Sequence, residues 1–168
     1  MGEIIFRPPA ISDGSQIKNL IVQSEILDVN STYCYLLLCR DFSDTCVVAE
    51  KNGEIVGFLS AYCPPHSKRT IFIWQIGVAL AYRKKGLGIS MLETLLQRNF
   101  CKKISFLETT ITPTNLISRA FFRAFANKVG TKWEETKGFD EGLFQNEQHQ
   151  AENLIRIGPF SPLNIKEK

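Results

Sequence analysis

A short run rich in glycine and basic residues carries the clearest chemical signal in this chain. It extends from Tyr82 to Gly88 and reads YRKKGLG. The apolar residues 70–80 before it predict a β-strand, and the amphipathic pattern after it predicts a helix. Small residues between a strand and a helix let successive backbone N–H groups turn toward one point, where the positive end of the helix adds to them. The run therefore predicts a site for a pyrophosphate-bearing cofactor.

Other phosphate-binding motifs fit this run less well. No Lys-Ser or Lys-Thr pair follows at the spacing of a P-loop, and no third glycine completes a dinucleotide fingerprint. The alternative without a function is a plain turn before a helix, where glycine is common. The residues predicted to bind the cofactor in this run are Arg83, Lys84, Lys85, Gly86, Leu87, Gly88 and Ile89.

Composition restricts the remaining classes of function. With 168 residues and 44% hydrophobic content, residues 1–168 predict a single domain with a sizeable core. The net charge of +3 is small and scattered, which argues against nucleic acid as a partner. The amino terminus lacks a signal-peptide pattern, and no apolar stretch approaches the roughly 20 residues that cross a bilayer. We expect a cytoplasmic protein with no membrane partner.

The five cysteines are odd in number and contain no C-x-x-C pair. Most lie in apolar runs, where a free cysteine behaves as a small hydrophobe, so a reduced cytosol fits better than a disulfide framework. A thiol nucleophile stays open as an alternative because His66 and His149 are available, although nothing in the sequence places either beside a cysteine. We predict no metal.

The elements around the run form a regular series. Asn52-Gly53 predicts a two-residue hairpin, and Ser12-Asp13 can cap a helix whose apolar positions begin at Ile17. Residues 129–152 are polar and predict a partly irregular connection. The predicted strands cover 3–7, 45–51, 54–62, 70–78, 104–112 and 153–158. One predicted helix begins directly after residues 12–13, and the other three cover 33–40, 87–98 and 115–128.

The motif R-x-x-G-x-G and this element order resemble the GCN5-related N-acetyltransferase superfamily. The resemblance implies an α/β (α+β) fold with a mixed central sheet, helices on both faces and two central strands that splay apart. It implies acetyl-CoA as co-substrate, with its pantetheine arm between strands 71–79 and 104–112. Backbone groups of Ile76 and Val78 would then pair with the pantetheine amides. Gly77, Asn115 and Phe122 complete the predicted cofactor-binding set.

Four longer blocks narrow the resemblance. They are residues 27–42 (LDVNSTYCYLLLCRDF), 74–78 (WQIGV), 107–115 (LETTITPTN) and 154–159 (LIRIGP). Together they resemble one family of the superfamily, the L-2,4-diaminobutyrate acetyltransferases of ectoine synthesis. The implied reaction moves the acetyl group of acetyl-CoA to the γ-amine of L-2,4-diaminobutyrate and releases CoA. By analogy the protein is expected to be a homodimer.

The resemblance also assigns catalytic groups. The backbone N–H of Val78 is expected to stabilise the oxyanion. Glu152 is expected to help deprotonate the γ-ammonium, while Glu108, in an apolar strand, is either a base acting through water or a paired buried carboxylate. Phe122 occupies the position where many relatives carry a tyrosine acid. Either another group donates the proton, or CoA leaves as the thiolate.

A substrate with two ammonium groups and one carboxylate calls for acidic and polar side chains. The residues predicted to bind it are Asp28, Asn30, Tyr33, Tyr35, Trp74, Thr112, His149 and Glu152. Five of them have a structural alternative: Asp28 and Asn30 can cap the second helix, Trp74 can pack in the core, and His149 and Glu152 can be plain surface residues. Two other functions stay open, namely acetylation of another small amine and an inactive domain that senses acetyl-CoA.

Overall fold

The computed structural model describes residues 2–145, 148–162 and 165. Its helices are α1 (Gly14–Ser24), α2 (Thr32–Asp41), α3 (Leu87–Leu96) and α4 (Leu116–Lys128). Its strands are β1 (Ile5–Arg7), β2 (Val47–Lys51), β3 (Glu54–Tyr62), β4 (Thr70–Val78), β5 (Phe106–Ile111), β6 (Trp133–Phe139) and β7 (Glu152–Ile157). They form a mixed sheet in the order β1-β2-β3-β4-β5-β7-β6.

Among the described residues, no helix combines the length and apolar character that a membrane span needs.

The chain divides into two compact units, and strand β4 contributes to both of them. The first unit contains the residues up to Tyr62 together with Ile73–Cys101. Strands β1, β2 and β3 pair antiparallel within it, and Asn52-Gly53 joins the last two. Gly53 has a φ of +82°, as a tight hairpin turn requires, so the predicted hairpin is confirmed. That the whole chain is a single domain stays a prediction.

The core of the first unit forms where helices α1 and α2 pack with strand β3. Ile17 and Ile21 lie four residues apart on one face of α1, and both are buried with Tyr35 of α2 and Phe58 of β3. The rings of the latter two meet edge to face, with 6.2 Å between their centroids. The apolar spacing read from the sequence therefore identified the buried face of α1.

The predicted side-chain cap of α1 is wrong. Asp13 occupies the N-cap position, but its carboxylate makes no capping bond to the helix. It accepts instead from the Ala10 N–H at 2.7 Å and from the Arg7 guanidinium at 2.7 Å. Burial disfavours the charge on Asp13, yet these donors outweigh that effect and lower the pKa of its carboxyl group. The residue therefore ties β1 to the start of α1.

The second unit contains Cys63–Phe72 and the described residues between Lys102 and Ile165. The first three residues of β4, Thr70–Phe72, pair in parallel with Phe106–Glu108 of β5. Strand β5 then pairs antiparallel with β7 along its length. Helix α4 buries Phe122, Phe125 and Ala126 on one side.

The prediction of a partly irregular connection over residues 129–152 is wrong at residues 133–139, which form strand β6. Residues 146 and 147 of that range lie outside the described part of the chain. Strand β6 pairs antiparallel with β7 although most of its side chains are exposed. The Arg119 guanidinium of α4 binds Glu135 of β6 at 2.7 Å, and this bond lowers the pKa of the Glu135 carboxyl to about 2. At Gly138 a side chain would overlap the backbone of Glu152 and Leu154, so glycine permits the close approach of the two strands.

Candidate active site

The glycine-containing run forms the turn between β4 and α3. Gly86 occupies the N-cap position of α3 with a φ of +79°, and a Cβ built on it would meet no atom within 4 Å. Glycine has no side chain that could cap the helix, and Gly88 is the second residue of the helix. The N–H groups of the first turn have no acceptor inside an α-helix, so those of residues 87–89 can bind an anion. This geometry fits the pyrophosphate of a CoA-type cofactor.

Arg83, predicted to bind the cofactor, also holds this turn in place. Its guanidinium donates to the Val78 carbonyl oxygen at 3.0 Å and to the Ser24 carbonyl oxygen at 3.1 Å. The run is thereby tied to the end of β4 and to the last residue of α1. Lys85 donates to the Ala81 carbonyl oxygen at 2.8 Å, while Lys84 is exposed with a φ of +58°.

The backbone N–H of Val78, at the end of β4, points away from the neighbouring strand β3. The Ala79 N–H donates to the Val56 carbonyl oxygen of β3 at 2.9 Å. Because N–H groups alternate between the two edges of a strand, the Val78 N–H points to the opposite edge of β4. That orientation fits the predicted role of the Val78 N–H, which stays a prediction.

The two faces of β4 differ in exposure. Trp74, Ile76 and Val78 alternate with buried residues and share one face, on which Trp74 is 44% exposed. The alternative of Trp74 as core packing is therefore wrong. On the other face, a side chain at Gly77 would collide with Ile21 of α1, so glycine brings β4 close to this helix.

A buried amide anchors the loop between α1 and α2. Gln75 donates through Nε2 to the Asp28 carbonyl oxygen at 2.7 Å, and its Oε1 accepts from the Tyr35 hydroxyl at 3.3 Å. That hydroxyl in turn accepts from the Asn30 N–H at 3.3 Å. Tyr35 is fully buried and Gln75 is 5% exposed. Tyr35, predicted to bind substrate, is therefore placed by the structure as an internal support of the loop.

The loop residues do not cap α2, which removes that alternative for Asp28 and Asn30. The cap is Ser31, whose side chain accepts from the Cys34 N–H at 3.2 Å. Asp28 is exposed, Asn30 is half-buried, and Tyr33 is exposed on the first turn of the helix. Asp28 and Asn30 lie on the loop between α1 and α2, and Tyr33 lies just after that loop; that all three bind substrate stays a prediction.

We expect Gln75→Leu to lower the free energy of unfolding by about 1–3 kcal/mol, since buried polar partners lose their hydrogen bonds. Chemical denaturation measures this loss. Gln97→Leu makes the same change at an exposed position after α3 and should leave stability within about 0.5 kcal/mol of the wild type. Equal effects of the two substitutions would show that the buried network contributes nothing.

His149 and Glu152 come together in the second unit. The distance from His149 Nε2 to Glu152 Oε1 is 3.6 Å, and the side chains are 21% and 18% exposed. The imidazole stacks on the Phe144 ring, with 4.1 Å between centroids and 20° between planes. Gln150, between them in sequence, accepts from the Thr114 hydroxyl at 2.8 Å. Neither side chain is a plain surface residue, and the pair joins an imidazole to a carboxylate.

Glu108 is a paired carboxylate, one of its two expected states. It lies opposite Arg156 in the β5–β7 ladder, and the Arg156 guanidinium binds its carboxylate. The same guanidinium lies 3.9 Å from the centroid of the Phe106 ring. Because this ion pair engages the carboxylate, Glu108 is a weaker candidate for the base than Glu152; its catalytic role stays a prediction.

Three other predicted site residues serve the ends and packing of α4. Asn115 caps this helix, because its Oδ1 accepts from the Ser118 N–H at 3.0 Å. Its own N–H donates to the carbonyl oxygen of half-buried Thr112 at 3.1 Å. Phe122 is buried and meets Phe121 edge to face at 5.0 Å. Cofactor contacts of Asn115 and Phe122 stay predictions beside these structural roles.

The cysteines do not support a thiol nucleophile. All five are free thiols, and Cys39, Cys46 and Cys101 are buried. Burial raises the pKa of Cys39 to about 11 and that of Cys46 to about 12, so both stay protonated at neutral pH.

Within the described residues, no group of three His, Cys, Asp or Glu side chains is placed to hold a metal ion.

Comparison with known proteins shows the family to which this chain belongs. The sequence profile described as Acetyltransferase (GNAT) family matches residues 16–126. The chain belongs to this family. Its GNAT fold matches the expectation from the sequence, as does its class, an acetyl-CoA-dependent N-acetyltransferase. The structure of Ard1 from Thermoplasma volcanium, 15% identical with a TM-score of 0.69, shares the GNAT fold alone.

Several GNAT relatives are similar over most of their length. The L-2,4-diaminobutyric acid acetyltransferase of Marinococcus halophilus is 42% identical over 94% of this chain and 91% of the relative. That of Shouchella clausii is 43% identical over 90% of this chain and 85% of the relative. The structure of diaminobutyrate acetyltransferase EctA from Paenibacillus lautus, in complex with its substrate L-2,4-diaminobutyric acid and coenzyme A, has a TM-score of 0.90 at 36% identity. The similarity covers 100% of this chain and 99% of that chain.

Proposed function

We propose that this GNAT enzyme transfers the acetyl group of acetyl-CoA to the γ-amine of L-2,4-diaminobutyrate, a step of ectoine synthesis. The observation that carries the proposal is the similarity over the whole chain, at a TM-score of 0.90, to an enzyme bound to that substrate and to CoA. The phosphate-binding geometry at Gly86 supports the cofactor. The polar groups at Asp28 and Glu152 suit an amine with a second ammonium group.

The acceptor amine must lose a proton before it attacks. A γ-ammonium resembles that of lysine, with a pKa of about 10.4, so freeing the amine at pH 7 requires about 4.6 kcal/mol. A nearby carboxylate can take this proton directly or through a water molecule. We assign this role to Glu152, whose carboxylate is half-buried beside His149 at the start of β7.

The attack itself places negative charge on the thioester oxygen. The Val78 N–H, directed away from β3, is our candidate donor for that oxyanion. The carbon–sulfur bond then breaks. Because Phe122 offers no proton at the position of the usual tyrosine, CoA leaves as the thiolate and solvent protonates it.

Regioselectivity is the harder requirement. The α-amine is the less basic of the two because it adjoins the carboxylate, so more of it is free at neutral pH and unassisted acetylation favours it. Selective γ-acetylation therefore needs an anchor that holds the α-ammonium away from the thioester, so that geometry outweighs basicity. Asp28, an exposed carboxylate on the loop held by Gln75, is our candidate for that anchor.

A product map tests the function directly. The protein is incubated with acetyl-CoA and L-2,4-diaminobutyrate, and NMR identifies the acetylated nitrogen. We expect the Nγ-acetyl product alone, with stoichiometric release of CoA. Faster turnover of another diamine or of an aminoglycoside would favour the alternative amine acetyltransferase. No CoA release with any amine would favour the acetyl-CoA-sensing domain.

We expect Asp28→Asn to raise KM for diaminobutyrate about 10- to 100-fold and to yield a measurable share of Nα-acetyl product. The reason is the loss of one charge-assisted contact, which contributes about 1.5–3 kcal/mol. Steady-state kinetics and the same NMR analysis measure both effects. Asp41→Asn removes an exposed carboxylate at the end of α2, paired with Arg40, and should change neither. Wild-type KM and pure γ-product in Asp28→Asn would remove Asp28 as the anchor.

We further propose that the enzyme works as a homodimer in the cytoplasm. The five free thiols fit a reducing compartment. Leu116 and Ile117 of α4 are both 71% exposed, and adjacent apolar side chains of this kind occur at interfaces. Light scattering coupled to size exclusion measures the mass in solution and separates a dimer from a monomer.

A further inference from the structure

A backbone carbonyl determines which ring nitrogen of His149 carries the hydrogen when the imidazole is neutral. Its Nδ1 lies 2.7 Å from the Gln150 carbonyl oxygen. A carbonyl oxygen can only accept a hydrogen bond, so Nδ1 must carry the hydrogen and donate it. In the neutral ring the lone pair is then on Nε2, the nitrogen that faces Glu152 Oε1 at 3.6 Å.

When the imidazole is neutral and the carboxylate is ionised, the two groups therefore face each other without a hydrogen between them. One added proton changes this contact, because either the carboxylic O–H donates to Nε2 or a protonated Nε2 donates to the carboxylate. A separation of 3.6 Å is longer than a hydrogen bond, and catalytic hydrogen bonds often tighten only when the substrate is bound. The pair is arranged to receive one proton.

We propose that His149 is a positioning residue that shares the proton which Glu152 removes from the acceptor ammonium. The inference rests on the proposed function. The proton leaves the γ-nitrogen for Glu152 Oε1 and is then shared with His149 Nε2. The freed lone pair forms the nitrogen–carbon bond, and the carbon–sulfur bond of the resulting oxyanion then breaks. The second proton of that nitrogen and the shared proton leave to solvent, and solvent returns one proton to the CoA thiolate.

The surroundings of His149 hold the ring in this orientation. The Phe144 ring covers one face of the imidazole at 20° between planes, which restricts rotation about the side-chain bonds. The Gln150 carbonyl fixes Nδ1, and the Gln150 side chain is held by the Thr114 hydroxyl. Glu152, as the first residue of β7, is fixed by the ladder to β6. Both partners are therefore set by contacts that do not involve substrate.

Two variants test this role in the whole enzyme. His149→Asn keeps an amide that can donate to the Gln150 carbonyl but has no group at the position of Nε2. His149→Ala removes the ring and leaves space for free imidazole. We expect each to lower kcat for diaminobutyrate about 10- to 100-fold with KM within about twofold of the wild type, since proton transfer rather than binding is impaired. Imidazole added to the assay should restore part of kcat in His149→Ala and none in Glu152→Gln, which lacks the base.

The outcomes separate this inference from the proposed function. Wild-type enzyme without activity toward diaminobutyrate overturns the proposed function, and the inference with it. Active wild type with kcat within twofold in folded His149→Asn overturns the inference alone. So does a folded His149→Ala variant whose lost kcat imidazole does not restore. Should His149→Ala fail to fold, His149→Asn decides, with acetyl-CoA affinity as the check that its fold is intact.

Discussion

Glu152→Gln is expected to lower kcat for diaminobutyrate acetylation by about 100-fold or more, the usual range for loss of a general base. The amide has the shape of the carboxylate but cannot accept the proton of the γ-ammonium. Affinity for acetyl-CoA should stay at the wild-type value, because the predicted phosphate site is the run at Gly86 and not β7. Steady-state kinetics with varied amine, together with acetyl-CoA titration by calorimetry, measure both quantities.

Glu134→Gln is the matched control for this substitution. It removes a carboxylate of the neighbouring strand β6 whose side chain is exposed, and its kcat should equal that of the wild type. If Glu152→Gln retains the kcat of the wild type and gives pure γ-product, the base lies elsewhere. Glu108 is then the next residue to replace, although Arg156 already binds its carboxylate.

Gly86→Val should weaken acetyl-CoA binding by at least about tenfold. A residue with a branched Cβ is strained by about 1–3 kcal/mol at a φ of +79°. The turn is expected to relax to relieve this strain, and the amides at the start of α3 move with it. Those amides are the predicted ligands of the pyrophosphate, so the Kd for acetyl-CoA should rise in a variant that still folds. Isothermal calorimetry with acetyl-CoA measures it.

Gly53→Val separates strain from cofactor binding. Gly53 has a φ of +82° and, like Gly86, open space around a built Cβ, but it lies in the β2–β3 hairpin. The two variants should lose similar stability in chemical denaturation, and only Gly86→Val should lose affinity for acetyl-CoA. Unchanged affinity in folded Gly86→Val would remove this turn as the phosphate site.

Periodicity determined which parts of the fold could be predicted from the sequence. The apolar spacing of Ile17 and Ile21 identified the buried face of α1, and Asn52-Gly53 identified a hairpin because few residue pairs adopt that turn. Strand β6 escaped prediction because its side chains are mostly exposed and its backbone bonds to β7 leave no pattern in the residue types.

The site shows a similar limit. The run around Gly86 was readable because its residue types are adjacent in sequence. Gln75 was missed, since its partner Asp28 is 47 residues away, and the only signal was a polar residue inside an apolar strand. Residue types near a loop do not reveal whether the hydroxyl of Tyr35 points outward or into the core. The structure buries it, and its predicted contact with substrate stays a prediction.

Gly138 has a consequence for how this enzyme can change in evolution. Most side chains of β6 project into solvent, and substitutions at those that make no side-chain contact leave packing intact and can accumulate freely, whereas Glu135 is held by Arg119. Gly138 differs, because any larger residue would push β6 away from the backbone of Glu152, the residue to which we assign the base. We therefore expect natural variants to differ freely at the exposed positions of β6 that make no side-chain contact, and to retain glycine at position 138.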